Sequence, residues 1–105
     1  MPRLTMTDEE VFARDGFRCV YCRWDGRSFD GWTFLVVDHF EPKSARTKAD
    51  PDRPENLVTA CVICNQMKAH FRFTSVEEAR AKIGEWRSQM RMFWEQRVKP
   101  LIPAT

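Results

Sequence analysis

An α+β fold is predicted for this chain from three observations. A short run rich in aromatic and β-branched residues extends from Trp32 to Val37, two helix-capping signals stand at Thr7-x-x-Glu10 and Ser75-x-x-Glu78, and two Cys-x-x-Cys pairs, Cys19/Cys22 and Cys61/Cys64, lie far apart. With 105 residues, 43% of them apolar, the chain is expected to form one domain spanning 1–105. A domain of this size gains only modest stability from core burial, so added cross-links help it.

The elements follow in order. Thr7 and Glu10 can satisfy free N–H groups at a helix start, which predicts a short helix from Asp8 to Arg14 closed by Gly16. Cys19 and Cys22 then sit on a tight knuckle. Gly26 and Gly31 give turn signals ahead of the strand at 32–37, and Pro42 helps to end it. From Pro42 to Asn56, Pro51 and Pro54 stand among polar residues and mark an ordered surface loop, followed by a brief second strand at 57–59. Ile63, Met67 and Phe71 recur at four-residue steps and predict a helix over about 62–71 with Cys61 and Cys64 at its start. Ser75 opens a longer C-terminal helix, about 75–98, with Val76, Ala79, Ile83, Trp86, Met90 and Phe93 on one apolar stripe.

Composition excludes little. The net charge of +2 does not mark a nucleic-acid binder, yet from Lys43 to Arg72 six basic residues stand against three acidic ones. No window approaches the roughly 20 apolar residues of a membrane span, and the N-terminus carries no apolar signal core. A cytoplasmic location is therefore expected. There, paired cysteines are metal ligands rather than disulfides.

Two thiolate pairs close a tetrahedral Zn²⁺ site with no open position, so Cys19, Cys22, Cys61 and Cys64 are assigned to a structural zinc. A thioredoxin-like role lacks its βαβ context. Four thiolates on one Zn²⁺ carry about −2, which cancels the formal charge. The 38 residues between Cys22 and Cys61 exceed the usual ribbon spacing, and they include Asp38, His39 and Asn56.

Phosphodiester hydrolysis needs a base to activate water and a metal to take up charge on the phosphorus centre and leaving oxygen. Histidine suits the first task, while a carboxylate and an amide oxygen suit a hard cation such as Mg²⁺. Asp38, His39 and Asn65 supply those groups. The order of "FRCVYC" (17–22), "VDHFEPKS" (37–44) and "ENLVTACVICNQMK" (55–68) resembles the HNH endonuclease family, whose fold is the ββα-metal or His-Me finger. The resemblance covers about half of the chain. It implies that Asp38 and Asn65 bind a catalytic divalent metal, Mg²⁺ or Mn²⁺, that His39 is the general base, and that Asn56 braces the histidine loop. Asn65 stands where many members have histidine, which makes this an H-N-N variant, and "ARTKADPDRP" (45–54) replaces the glycines that many members carry.

Other polar residues are ranked by helix geometry. Lys68 shares a face with Asn65 and is expected, with Lys43 and Arg46, to position DNA phosphates. His70 lies about 140° round a continuing helix from Asn65, so it is read as packing or exposed rather than as part of the metal site. Arg80, Arg87, Arg91 and Arg97 alternate with Glu77, Glu85 and Glu95 on a helix face expected to be solvated, with DNA backbone contact as the sharper alternative. Trp86 and Phe93 are read as core or interface anchors, and Trp24 and Trp32 as packing. The C-terminal helix is also a candidate for homodimer contact or for docking in a larger DNA-processing assembly.

Successive strand residues point to opposite faces, so Asp38 and His39 share one site only if the chain turns between them. The strand is therefore expected to finish near Val37. The function expected is metal-dependent DNA cleavage; the alternative is a non-catalytic zinc-knuckle module that grips nucleic acid or protein and needs neither Asp38 nor His39.

Overall fold

The computed structural model describes residues 5–45 and 49–104. Its centre is an antiparallel pair of strands, β1 (Leu35–His39) and β2 (Leu57–Cys61), in the register Leu35↔Cys61 to His39↔Leu57. The α+β class is as expected, with helices on either side of the pair. Helix α1 (Asp8–Arg14) starts on the complete capping box of Thr7 and Glu10. It buries Val11 and Phe12 and packs against both strands. Polar bonds fix its end: Asp15 accepts from the Thr59 N–H at 2.9 Å, and Arg14 donates to the Pro54 carbonyl at 3.0 Å.

Trp32 does not begin the strand. It closes a one-turn helix, α2 (Phe29–Trp32), because the Ser28 hydroxyl accepts from the Gly31 N–H at 3.0 Å. Gly31 is required by the close approach of the preceding turn: a Cβ there would lie 2.3 Å from the Asp25 carbonyl oxygen. β1 consequently begins at Leu35 and runs on through His39, beyond the expected end at Val37. The ladder reaches His39↔Leu57, and the Phe40 N–H still donates to the Asn56 carbonyl at 2.8 Å.

β2 passes directly into α3 (Val62–Lys68), whose first turn is capped by the Cys61 sulfur accepting from the Cys64 N–H at 3.4 Å. The helix is shorter than its apolar repeat suggested. Ala69 takes φ 46° and ψ −120°, and the Phe71 N–H turns back onto the Lys68 carbonyl at 2.9 Å. Phe71 thus reaches Trp86, at 5.1 Å between ring centres, from an irregular segment rather than from a helix.

Helix α4 (Val76–Phe93) is capped by Ser75 and continues through a π-helical turn, Trp94–Val98. Ala79 and Ile83 are buried against Cys19, Tyr21, Ala60, Cys61 and Cys64, with Trp86 packed at the edge. Further along the stripe Met90 is 50% and Phe93 61% exposed, so only the first half of the helix is anchored in the core. No helix of the described residues is long and apolar enough to cross a membrane.

Candidate active site

The two knuckles converge. The four cysteine sulfurs, contributed by the 19–22 turn, the end of β2 and the first turn of α3, all lie within 4.8 Å of one another, with Cys22 and Cys61 at 3.6 Å. Tetrahedral Zn–S bonds of about 2.3 Å set an S···S separation of about 3.8 Å, so the donor set fits Zn²⁺. Thiols this close compete for charge. Hydrogen bonds with Cys19, Cys22 and Cys64 draw the Cys61 thiol down, and those with Cys19, Cys22 and Cys61 push Cys64 up.

Arg87 of α4 supports the thiolate form by donating to the sulfurs of Cys64 at 3.4 Å and Cys61 at 3.6 Å. Arg80 donates to the Val20 carbonyl in the first knuckle at 2.7 and 3.0 Å. Both arginines therefore turn inward, in place of the solvated or DNA-facing role expected of them.

A cleft of about 400 Å³ opens at the end of β1, lined by Asp38, His39, Lys43, Ser44, Asn65 and His70 among others. Asp38 and His39 leave the strand on opposite faces, as the uninterrupted ladder requires. Asp38 is 5% exposed and faces inward, where it accepts from the Tyr21 hydroxyl at 2.6 Å. Lys68 lies 3.4 Å from one Asp38 oxygen and 3.5 Å from the other, and donates to the His39 carbonyl at 3.1 Å. Burial pushes the Asp38 carboxyl up, against the opposing effect of Tyr21 and Lys68. Burial also raises Tyr21, helped by the Asp38 charge.

This geometry corrects the expectation for Lys68. Its side chain is 0% exposed, so it neutralises Asp38 instead of reaching a phosphate. Lys43 is open to solvent and lines the cleft, whereas Arg46 falls outside the described residues. His70 is exposed, one of the two readings expected of it, but it also borders the cleft. The angular argument assumed a continuing helix, but α3 ends at Lys68 and the turn at Ala69 brings His70 into the wall of the same cleft.

His39 points to the loop side, where its Nε2 is 2.7 Å from Asp52 Oδ1. Asn56 clamps that loop with both ends of its amide: Oδ1 accepts from the Glu41 N–H at 2.7 Å, and Nδ2 donates to the carbonyls of Glu41 at 3.0 Å and Pro51 at 2.9 Å. Tyr21 and Asp52 were not among the expected site residues, since each meets its partner only through the tertiary fold. The Asn65 amide has no protein hydrogen-bond partner among the described residues. With the Asp38 carboxylate it offers oxygen donors of the kind a hard divalent cation takes, so the residues present fit such an ion.

An antiparallel strand pair leading into a helix, with cysteine knuckles at its base and acid, imidazole and amide at its open end, defines a zinc-knuckle ββα finger. The profile of the HNH endonuclease family matches residues 19–71, about half of the chain, and the chain belongs to that family. Its members are in general nucleases acting on nucleic acid. No curated protein and no solved structure matches the chain.

Proposed function

We propose that this protein is a metal-dependent DNA endonuclease in which His39 is the general base. The observation that carries this is the cleft at the end of β1, which brings Asp38, His39 and Asn65 to one opening of about 400 Å³ on a chain of this family. Asp38 and Asn65 hold a divalent ion, Mg²⁺ or Mn²⁺. When bound, that ion supplies positive charge for the phosphoryl oxygens and the leaving 3′-oxygen. His39 takes a proton from the attacking water, and the Asn56 clamp keeps its loop in place while it does so. Lys43, at the rim, steers the phosphate backbone, and Arg46 is proposed for the same task. The four cysteines hold Zn²⁺ away from the chemistry.

One observation favours a second reading. Asp38 is nearly sealed and already paired with Lys68 and Tyr21, as a purely structural acid would be. A non-catalytic zinc-knuckle module would bind DNA without cutting it.

Nicking of supercoiled plasmid with Mg²⁺, Mn²⁺, Ni²⁺ or Co²⁺ separates the two. Cutting by the parent and loss of about 10²-fold or more in His39→Ala is expected, the range a general base contributes. Intact plasmid under every metal would sink the nuclease assignment, and equal cutting by His39→Ala would reject His39 as the base.

A further inference from the structure

We propose that Asp52 is the positioning residue of His39, fixing the imidazole as its Nε2–H tautomer so that Nδ1 is the nitrogen facing the water. The inference rests on the nuclease function proposed above. It starts from the 2.7 Å contact between His39 Nε2 and Asp52 Oδ1, a distance in the charge-assisted range. A carboxylate only accepts hydrogen bonds, so the neutral ring can meet it only with a proton on Nε2. The lone pair is then left on Nδ1.

Asp52 is suited to this because its backbone is held on several sides, although its side chain is half exposed. Its N–H donates to Asp50 Oδ1 at 2.9 Å, its carbonyl accepts from the Thr5 hydroxyl, and the preceding Pro51 carbonyl is gripped by Asn56. Asn56 therefore acts on both partners at once. Through Glu41 it fixes the chain that leaves His39, and through Pro51 it fixes the chain that enters Asp52. Among the described residues, the lysine or arginine brought to Asp52 is Lys43, at 3.9 Å and exposed at the surface.

In the proposed step the water proton moves to Nδ1 while the Nε2 proton stays on the ring, shared with Asp52. No proton passes to the carboxylate. Asp52 thus touches neither substrate nor metal and works through the orientation of His39. Misplacement of a reacting group by about 1 Å can cost about 10²-fold in rate, so loss of this hold is expected to lower turnover without weakening DNA binding.

The test is a long-range ¹H–¹⁵N correlation spectrum of zinc-loaded protein labelled at histidine nitrogens, without DNA, at a pH where the rings are neutral. The His39 and His70 signals are assigned with His70→Ala. The parent is expected to show His39 with a proton on Nε2 and none on Nδ1, and Asp52→Ala a mixture of tautomers. A parent His39 that carries its proton on Nδ1, or is mixed, overturns the proposal without need of any variant. In plasmid nicking, Asp52→Asn is expected to lose about 10- to 100-fold in turnover, with half-saturation by DNA within about twofold of the parent, and Asp52→Glu to recover part of the loss. Full turnover by Asp52→Asn beside a dead His39→Ala removes the role of Asp52 and leaves the nuclease function standing. An inactive parent, or a fully active His39→Ala, removes both.

Discussion

Lys68 gives the sharpest thermodynamic test of how the site is built. Lys68→Met keeps the apolar stem and deletes the ammonium, leaving Asp38 buried beside the Tyr21 hydroxyl and the His39 carbonyl without its 3.1 Å donor. Breaking a buried ion pair by removing one partner costs about 3–5 kcal/mol, because the remaining charge is uncompensated. Protonation sets a ceiling. An aspartate of ordinary pKa near 3.9 takes up a proton at pH 7 for about 4 kcal/mol, at about 1.36 kcal/mol per unit, so the carboxyl accepts one rather than pay more.

The sign with pH follows from the same reasoning. Burial already raises the folded-state value of Asp38, and Lys68 is one of the groups that hold it down. Deleting Lys68 raises it further above the unfolded value. A carboxyl raised in this way costs nothing below the unfolded value, and its penalty grows as pH rises from there to the folded value. Urea unfolding of zinc-saturated parent and Lys68→Met is therefore expected to differ by about 3–4 kcal/mol at pH 7, less by up to about 1.4 kcal/mol at pH 6. Asp38→Asn introduced beside Lys68→Met recovers most of the loss. A difference below about 1 kcal/mol at pH 7, or one that does not shrink toward pH 6, would refute the buried pair as the support of Asp38.

Two further outcomes are expected. Arg87→Ala removes the guanidinium from the sulfurs of Cys61 and Cys64 and should weaken Zn²⁺ binding by about 10- to 100-fold in chelator competition, with partial recovery in Arg87→Lys; unchanged affinity would show that the contact does not support the thiolates. Ala69→Gly relieves a side chain from φ 46° and should raise unfolding free energy by about 0.5–1 kcal/mol in the same urea assay, whereas a loss would mean the turn there is unstrained.

Local signals in the sequence were legible because their partners lie close in the chain. Both capping signals start helices where expected, and the paired cysteines meet as the knuckle spacing implied. The inward turn of Arg80 and Arg87 was also written there. They stand three residues before and four after Ile83, so they share the face that Ile83 buries, and the alternation with glutamates concealed it. Other features arise only from the tertiary fold. Asp52 meets His39 across thirteen residues and a proline loop, and Tyr21 meets Asp38 across seventeen. Lys68 shares a face with Asn65 as helix spacing requires, but its flexible stem lets the charge fold beneath the cleft, which spacing alone does not specify.

The strand continuing through His39 removes the turn that seemed necessary and puts another device in its place. On an uninterrupted strand Asp38 and His39 belong to opposite faces, and each has acquired its own partners: Tyr21 and Lys68 on one side, Asp52 on the other. They can still border one opening because His39 is the last ladder residue. Had the pair stood two residues earlier, the strand pair itself would separate them. Beyond His39 the chain leaves the sheet at Phe40, and Asn56 fastens Glu41 to the returning loop. The cleft therefore lies at the end of the sheet, where both faces are accessible from one side. Asn56 is what makes this end a fixed one, and that gives a physical reason for an asparagine immediately before β2: one side-chain amide satisfies three backbone groups and holds the outgoing and returning chains at a single separation.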